Sequence, residues 1–319
     1  MSALGTRALG VAAGLLLDRL LGEPPDAWHP VAWFGSVMGR VERIRYADTH
    51  LAGARYALVG AGLGLAAGAA LRPLGVAGVA SAVAVASAGR MLRGTAGDIG
   101  ALLRADDLAG ARARLPWLVG RDPSGLDASG VSAAVVESLA ENTVDAVVAP
   151  AFWGLAGGAP GVLLHRAANT MDAMVGHRDD RYARYGTAAA RLDDVLAWVP
   201  ARLFAALVAL DSQTAAQHRT REVVAAVLRD APDHPSPNSG VAEAAAAAAL
   251  GVELGGTLRY GERVEHRPRL GAGPRPRPDD IARARSLVDR VELMLVAGCV
   301  ALWGLDRLLA RPHTRRSPS

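Results

Sequence analysis

Three carboxylates recur every four residues in the stretch VVESLAENTVDAVVAP. Glu137, Glu141 and Asp145 therefore share one face of a helix that continues into an apolar segment. Unpaired charges are costly in such a position unless cations occupy them. Hard oxygen ligands of this kind suit Mg²⁺, which usually keeps several waters and bridges to substrate phosphate. The pattern therefore predicts either a magnesium site or a solvated helix face.

A short echo of this stretch follows on the other side of an apolar run. Asn142-Thr-Val-Asp145 recurs as Asn169-Thr-Met-Asp172. An Asn and an Asp one helical turn apart, at both ends of one hairpin, could converge on a single cation or polar substrate. The echo is also short enough to arise by chance.

Arginines stand beside these polar residues. Arg166 lies three residues before Asn169, and Arg191 lies next to Asp193 and Asp194 at the end of the same polar loop. An arginine beside a carboxylate is usually half of a surface ion pair. Beside a cation site it can instead hold phosphate oxygens with two hydrogen bonds.

Two proline-containing segments carry the remaining candidates. In the first, neighbouring prolines hold Glu23 and His29 at the mouth of the first helix, where His29 is either structural or catalytic. In the second, HPSPNSG precedes an alanine run. This is the pattern of a helix start with Asn238 or Ser239 as the N-cap. Its amides and hydroxyls, together with Ser236, could alternatively hold an anionic group.

The apolar runs that position these residues indicate a membrane protein. Residues 56–71 and 73–89 are uncharged and are flanked by arginines. At about 1.5 Å per residue each run spans roughly 25 Å, which approaches the thickness of a bilayer core. Gly60, Gly64 and Gly68 recur every four residues, a spacing that lets another helix approach closely. A soluble hairpin rich in Ala and Gly is the alternative.

Three further runs complete this pattern. Residues 146–164 are uncharged but contain Gly157-Gly158-Ala159-Pro160, which predicts a broken or re-entrant helix. Residues 195–210 contain Arg202, which should face protein, water or phosphate rather than lipid. Residues 291–309 form another candidate span, and the basic tail that follows predicts a cytoplasmic end.

Composition limits the chemistry. All 35 basic residues are arginine, which excludes mechanisms that need a Schiff-base or P-loop lysine. The single Cys299 excludes a disulfide framework and a multi-cysteine zinc site. Because the arginines are scattered and only 4% of residues are aromatic, the net charge of +4 predicts phosphate or anionic lipid as a counterpart, not nucleic acid.

The fold class follows from the same patterns. No segment shows sustained alternation of apolar and polar residues, so no sheet is expected. We predict one all-α, polytopic integral membrane domain over residues 1–319, with polar loops between its helices. Residues 262–280 alternate Arg and Pro and are the best candidate for a mobile linker.

Four sequence blocks together resemble the motifs of the CobD/CbiB family of cobalamin biosynthesis. They are DRLLGEPPDAWHPVAWFG, ESLAENTVDAVVAPAFWGLAGGAPGVLLHRAANTMDAMVG, YGTAAARLDDVLAWVPARL and HPSPNSGVAEAAAAAALGVELGG, and they span about residues 10–260. The resemblance implies a multi-pass protein of the cell membrane that converts adenosylcobyric acid to adenosylcobinamide or its phosphate. The reaction joins aminopropanol or its O-phosphate to the ring D propionate as an amide, with ATP and Mg²⁺.

The resemblance thus implies an ATP-dependent acid–amine ligase, and the candidates take roles in it. The expected magnesium ligands are Glu141, Asp145 and Asp172. The expected catalytic residues are His29 or Glu23 as the base, with Arg166 and Arg191 at the transferring phosphoryl group. The expected substrate-binding residues are Asn142, Asn169, Asp193, Asp194, Arg202, Ser236, Asn238 and Ser239.

Location and partners are expected from the same resemblance. Because ATP is cytosolic, the loops at 22–54, 91–143 and 165–193 should share the cytoplasmic side of the membrane. The expected partners are the corrinoid substrate, aminopropanol or its phosphate, membrane lipid and other membrane enzymes of the cobalamin pathway.

Two other functions fit parts of the pattern. A membrane-embedded prenyltransferase also binds Mg²⁺-diphosphate through carboxylates on helices, but no two Asp residues here are spaced i, i+4. A transporter or non-catalytic scaffold would use the broken helix as a gate. The chain has no P-loop and no Gly-rich dinucleotide turn, so a ligase of this sequence must bind ATP in another way.

Overall fold

The computed structural model describes residues 1–120, 122–177, 179–260 and 263–310. This part of the chain is almost entirely helical, with a single pair of short strands. Its elements are α1 (Ala3–Leu21), α2 (Pro30–Arg45), α3 (His50–Ala70), α4 (Val76–Ala86), α5 (Gly89–Arg104), α6 (Leu108–Arg114), α7 (Ala128–Thr143), a π-helical turn (Val144–Val148), α8 (Ala149–Val175), α9 (Thr187–Leu210), α10 (Ser212–Ala216), α11 (Thr220–Asp230), α12 (Ser239–Leu250), β1 (Leu254–Tyr260), β2 (Arg263–Leu270) and α13 (Pro278–Leu309).

A helical hairpin formed by α7, the π-helical turn and α8 positions most of the candidate residues. The chain turns at Gly158, where φ is 65° and ψ is −156°. In a straight helix Trp153 and Gly161 would be about 12 Å apart. A Cβ placed on Gly161 would instead lie 2.8 Å from the Trp153 carbonyl oxygen, so the two arms run antiparallel. The predicted break in residues 146–164 is confirmed.

Three stretches are long and apolar enough to cross a membrane. They are His50–Leu74, Val76–Arg104 and Ala128–Val175, of which the last is the hairpin. Helix α3 exposes Leu58 and Leu63, as expected for a helix that faces lipid. These features confirm the prediction of an all-α polytopic membrane protein. Helix α13, which contains the predicted span at 291–309, is not among the three stretches, and the basic tail after residue 310 lies outside the described residues.

The glycines of α3 form its contact with the hairpin. A Cβ on Gly64 would lie 2.6 Å from the Leu163 carbonyl oxygen, and one on Gly68 would lie 2.4 Å from the Pro160 Cα. Only glycine leaves room for backbones this close. The close helix approach predicted from the four-residue spacing is therefore confirmed.

The two strands correct the expectation that the chain contains no sheet. Strands β1 and β2 form an antiparallel ribbon with an irregularity at Gly255 and Gly256. The ribbon occupies much of the segment 262–280 that was predicted to be a linker, and α13 begins at Pro278. Only residues 271–277 of the described part of that segment lie outside regular secondary structure, while Glu262 is outside the described residues. Some of the arginines that suggested a linker therefore lie in β2.

Two of the polar loops pack against each other at one end of the molecule. Arg184 forms an ion pair with Asp48 at 2.5 Å. The hydroxyl of Tyr182 donates a hydrogen bond to Glu42 at 2.9 Å. The regions around residues 22–54 and 165–193 therefore lie on the same side of the hairpin.

Candidate active site

Each carboxylate of the acidic stripe has a partner in a different part of the fold. Glu137 is buried and accepts a hydrogen bond at 2.9 Å from a backbone N–H of β1. Glu141 accepts one at 2.7 Å from the Ser239 hydroxyl at the start of α12. Asp145 accepts one at 3.1 Å from the amide of Asn169 on the second hairpin arm. The stripe therefore faces other elements of the protein and is not a solvated helix face.

The π-helical turn Val144–Val148 lies at the end of this stripe and contains Asp145. A π-turn leaves backbone groups without their usual helical partners and is frequent at functional sites. Here the Ala146 carbonyl oxygen accepts a hydrogen bond from the Ala88 N–H at 3.1 Å, at the break between α4 and α5. The turn thus joins the hairpin to a second pair of helices beside the candidate residues.

The sequence echo does bring its two halves together. Arg166 donates a hydrogen bond from Nη1 to the side-chain oxygen of Asn169 at 3.2 Å. The amide nitrogen of Asn169 in turn donates to Asp145. Asn142, the equivalent residue in the first half, donates instead to the carbonyl and hydroxyl oxygens of Ser138. Only one of the two asparagines therefore connects the arms.

A cavity of about 560 Å³ lies beside these residues, and we call it the acidic cavity. It is lined by carboxylates from both hairpin arms, from the loop after α8 and from α9. They are Glu141, Asp145, Asp172, Asp179, Asp193 and Asp194. The segment before α12 contributes Ser236, Asn238 and Ser239, and the basic lining residues are His177, His234 and Arg267.

The negative charges in the acidic cavity affect one another. Burial raises the pKa of Asp193 well above its ordinary range, and the charges of Asp145, Asp172 and Asp194 raise it further. Burial lowers the pKa of His234, which therefore supplies little positive charge at neutral pH. A bound cation would relieve the repulsion among these carboxylates.

The segment before α12 is held by its own side chains. The Ser236 hydroxyl accepts hydrogen bonds from the N–H groups of Asn238 and Ser239 at 3.4 and 3.2 Å. The predicted helix start is confirmed with Asn238 as the N-cap residue, but its side chain makes no capping hydrogen bond, and the Ser236 hydroxyl accepts from the N–H groups instead. Asn238 instead donates to the Asp194 carbonyl oxygen at 2.8 Å, which ties the segment to α9.

Arg202 acts on the acidic cavity through Asn238. Its guanidinium donates to the Asn238 side-chain oxygen at 3.0 Å and lies over the Trp198 ring, 4.3 Å from the centroid. Arg202 does not itself line the acidic cavity, so it is a positioning residue.

We expect Arg202→Leu to lower activity about tenfold, because Asn238 loses its anchor, although the change makes α9 more apolar. Arg202→Lys keeps a donor and should retain more activity. If Arg202 acts through Asn238, Arg202→Leu should lower activity little further in a protein that already carries Asn238→Ala. Steady-state kinetics of the wild type, the two single variants and the double variant measures this coupling. A stable, fully active Leu variant would reduce Arg202 to a surface residue that packs on Trp198.

A second cavity of about 840 Å³ lies on the other side of the hairpin, and we call it the arginine cavity. It contains the predicted residues Glu23, His29, Asn142 and Arg166. Helix α2 adds two arginines, Arg40 and Arg43. His29 is also the N-cap of α2, because its Nδ1 accepts a hydrogen bond from the Val31 N–H at 3.2 Å.

The structure thus divides most of the predicted residues between two cavities, while Asn169, Arg191 and Arg202 line neither. Arg191 is exposed on α9 and lines neither cavity. Six ionisable cavity residues were not predicted as site residues from the sequence: His177, Asp179, His234 and Arg267 in the acidic cavity, and Arg40 and Arg43 in the arginine cavity. His234 lies in the segment HPSPNSG, which was already conspicuous. Arg267 carried no signal, because only the β-ribbon brings it to the hairpin.

The residues of the acidic cavity fit a magnesium ion that is shared with phosphate. In the described part of the chain no three His, Cys, Asp or Glu side chains are close enough to form a metal site by themselves. Mg²⁺ usually binds through one or two carboxylates and takes its other ligands from water and substrate phosphates. Glu141, Asp145 and Asp172 line the same cavity and supply suitable oxygens.

Comparison with known proteins gives a consistent result. A family model described as CobD/Cbib protein matches residues 11–288. A protein of Mycobacterium tuberculosis (strain CDC 1551 / Oshkosh) named Cobalamin biosynthesis protein CobD is 47% identical over 286 residues, which is 88% of this chain and 90% of that protein. No solved structure matches the chain. The matched range begins in α1 and ends in α13, so it includes both cavities.

Two further relatives have the same printed name. One, from a strain of Rhodobacter capsulatus, is 40% identical over 313 residues, with 93% of this chain and 98% of the relative covered. Another, from a strain of Chromobacterium violaceum, is 44% identical over 295 residues, with 89% and 92% covered. The similarity therefore extends over nearly the whole length of these proteins.

Proposed function

This chain belongs to the CobD/CbiB family of cobalamin biosynthesis proteins, and we propose that it is an ATP-dependent ligase of that pathway. The reaction would join aminopropanol or its O-phosphate to the ring D propionate of adenosylcobyric acid. The observation that supports this proposal most is the acidic cavity. Its carboxylates come from three helices and one loop, and they face a serine-containing segment suited to phosphate oxygens.

The chemistry requires activation of a carboxylate. In the first step a carboxylate oxygen of the corrinoid bonds to the γ-phosphorus of ATP, and the bond to ADP breaks. In the second step the amine nitrogen bonds to the acyl carbon, phosphate leaves and the nitrogen loses a proton. Mg²⁺, when bound, neutralises charge on the phosphate oxygens. Glu141, Asp145 and Asp172 are the residues that would hold it.

Arg166 is the better placed of the two arginines proposed at the transferring group. It is joined through Asn169 to Asp145, whereas Arg191 is exposed outside both cavities. A guanidinium in this position stabilises negative charge as it develops on the reacting oxygens. Asn169 fixes the orientation of both charged groups.

The base that accepts the amine proton is assigned to Glu23. The Nδ1 atom of His29 accepts the Val31 N–H, so a neutral imidazole carries its proton on Nε2. In this tautomer the outer nitrogen donates a hydrogen bond and cannot accept a proton. His29 therefore serves as a helix cap and a donor in the arginine cavity, and the carboxylate of Glu23 is the proton acceptor.

Reconstitution with purified protein tests the proposal. Protein in detergent, supplied with adenosylcobyric acid, Mg²⁺, ATP and either form of aminopropanol, should yield the corrinoid amide and one ADP for each amide. A prenyltransferase would instead release diphosphate from a prenyl donor, and a transporter would move corrinoid across vesicles without forming an amide. Protein that binds corrinoid but forms no amide from either amine would contradict the proposal.

We also propose that the cavities open toward the cytoplasm of a multi-pass cell-membrane protein. The packed loops at Asp48 and His177 should then be labelled from the same side. Cys299 is buried, so cysteines introduced as Asp48→Cys and His177→Cys should react with little background. We expect an impermeant thiol reagent to label both only after the cells are permeabilised. Labelling of the two positions from opposite sides would contradict the hairpin topology.

A further inference from the structure

We infer that the corrinoid binds in the arginine cavity while the nucleotide binds in the acidic cavity, so that the amide forms at the wall between them. This inference rests on the proposed function, because it assigns the two large substrates of that reaction to separate sites. It is carried by the construction of the wall, by the charge of each cavity and by the shape of the arginine cavity.

The wall between the cavities is one helix thick. Glu141 and Asp145, one turn apart, line the acidic cavity. Asn142 and Ala146, also one turn apart, line the arginine cavity. Adjacent faces of the same helical segment therefore line different cavities. A smaller cavity of about 190 Å³ is lined by both Glu141 and Asn142, so it adjoins the two larger ones.

A chain of hydrogen bonds crosses this wall. Arg166 lines the arginine cavity and Asp145 lines the acidic cavity, and Asn169 accepts from the first and donates to the second. The Arg166 Nε is buried and has no hydrogen-bond partner among the described residues. A buried N–H without a partner is costly, and a ligand oxygen in the arginine cavity would satisfy it.

The charges of the two cavities select different ligands. The arginine cavity contains three arginines and one carboxylate, Glu23. A substrate carboxylate is therefore attracted to it, and Arg166 can hold it with charge-assisted hydrogen bonds. The acidic cavity would repel the same carboxylate unless a divalent ion were present. Its carboxylates suit the metal that accompanies a nucleotide.

The shape of the arginine cavity suits a flat, bulky ligand. Helix α2 faces it with Gly35, Ser36 and Gly39, and Met91 and Met174 line it as well. Small residues one turn apart leave a flat helix surface, and methionines adapt to irregular apolar shapes. Its volume of about 840 Å³ falls in the upper range for small-molecule sites. A macrocycle with an anionic side chain fits both the surface and the charge.

Variants that fill each cavity test the assignment by equilibrium binding alone. A Cβ on Gly35 or Gly39 would come no closer than 3.9 or 3.7 Å to a neighbouring atom, so Gly35→Leu and Gly39→Leu should be accommodated by the fold. We expect each to weaken binding of adenosylcobyric acid, followed by its absorbance without ATP, about tenfold or more. Binding of Mg-ADP should stay within about twofold. The matched variant Ala190→Leu, in the lining of the acidic cavity, should show the reverse pattern.

A charge variant tests the assignment without filling the cavity. Arg40 and Arg43 are exposed at the rim, so Arg40→Gln with Arg43→Gln should fold normally. This double variant should bind adenosylcobyric acid about tenfold more weakly but bind cobinamide, which lacks the reacting carboxylate, almost as well as the wild type does.

The outcomes distinguish this inference from the proposed function. Suppose that the wild type forms the amide, that Ala190→Leu loses corrinoid binding and that the glycine variants keep it. The cavity assignment is then wrong, and the ligase function stands. If the wild type binds corrinoid but forms no amide, the ligase function fails, and loss of corrinoid binding in the glycine variants still locates its site. If the glycine variants bind neither corrinoid nor Mg-ADP, the double variant Arg40→Gln with Arg43→Gln tests the assignment instead. Equal weakening of its binding to adenosylcobyric acid and to cobinamide overturns the assignment.

Discussion

Replacing Glu141 with Gln or Asp145 with Asn is expected to lower the proposed ligase activity about 100-fold or more. Removing one preorganised group that stabilises transition-state charge typically has an effect of this size. Both carboxylates line the acidic cavity, one turn apart on the same arm. Glutamine and asparagine keep the shape and the hydrogen bonds to Ser239 and Asn169, so the variants chiefly remove charge.

The stability of these variants should move in the opposite direction. Without Mg²⁺ the acidic cavity holds several carboxylates close together, and removing one of them relieves repulsion. Thermal unfolding in detergent should therefore show an unchanged or higher midpoint in metal-free buffer. We expect Mg²⁺ to raise the unfolding midpoint of the wild type more than that of either variant, and activity to recover in part at high Mg²⁺.

Glu137→Gln provides the matched control for these two variants. Glu137 belongs to the same stripe but lies two turns before Asp145 and accepts a hydrogen bond from β1, outside the acidic cavity. A glutamine can accept the same hydrogen bond, so the Mg²⁺ dependence of activity should not change. Wild-type activity and Mg²⁺ dependence in both Glu141→Gln and Asp145→Asn would show that the stripe only joins helices.

Much of this site could be predicted because its signals are local in the sequence. The four-residue spacing placed Glu141 and Asp145 on one face, and any helix with that sequence would do the same. The glycines and proline in residues 146–164 predicted a turn, which brought Asn169 back to Asp145. Local geometry and one reversal of the chain were sufficient for these predictions.

The remaining features depend on contacts between distant segments. Arg191 has the same kind of neighbours as Arg166, but α9 turns it outward, and its orientation is decided by how the helix packs. Arg267 reaches the acidic cavity on a strand that has no alternating pattern and was therefore predicted to be part of a linker. The division into two cavities likewise could not be predicted, because it depends on which helices cover each face of the hairpin.

The second large effect is expected at the turn of the hairpin, where Gly158→Ala should destabilise the protein. Gly158 has φ 65° and ψ −156°, a conformation that is essentially restricted to glycine. A Cβ there would be 3.5 Å from the Arg7 side chain, so the cost lies in the backbone and not in a steric clash. Forcing an alanine into this conformation should destabilise the turn by about 1–3 kcal/mol.

The neighbouring Gly157 offers a control that differs by one position. No heavy atom lies within 4 Å of a Cβ built on Gly157, and its φ is not positive. Gly157→Ala should therefore be neutral or slightly stabilising, since alanine loses less conformational freedom in a helix. Thermal unfolding of both variants in detergent measures the difference.

Activity should depend on the conformation of this turn, because the turn sets the register of the two arms. The first arm ends with carbonyl groups of Leu155 and Ala156 that accept hydrogen bonds from Arg7, and the second arm begins after Gly158. Asp145 meets Asn169 only if this reversal is tight, since the two residues would be about 36 Å apart in a straight helix. Gly158→Ala should therefore lower both the unfolding midpoint and Mg²⁺ affinity, while Gly157→Ala lowers neither. Equal stability and Mg²⁺ affinity in the two variants would mean that helix packing, and not the glycine conformation, brings the two arms together.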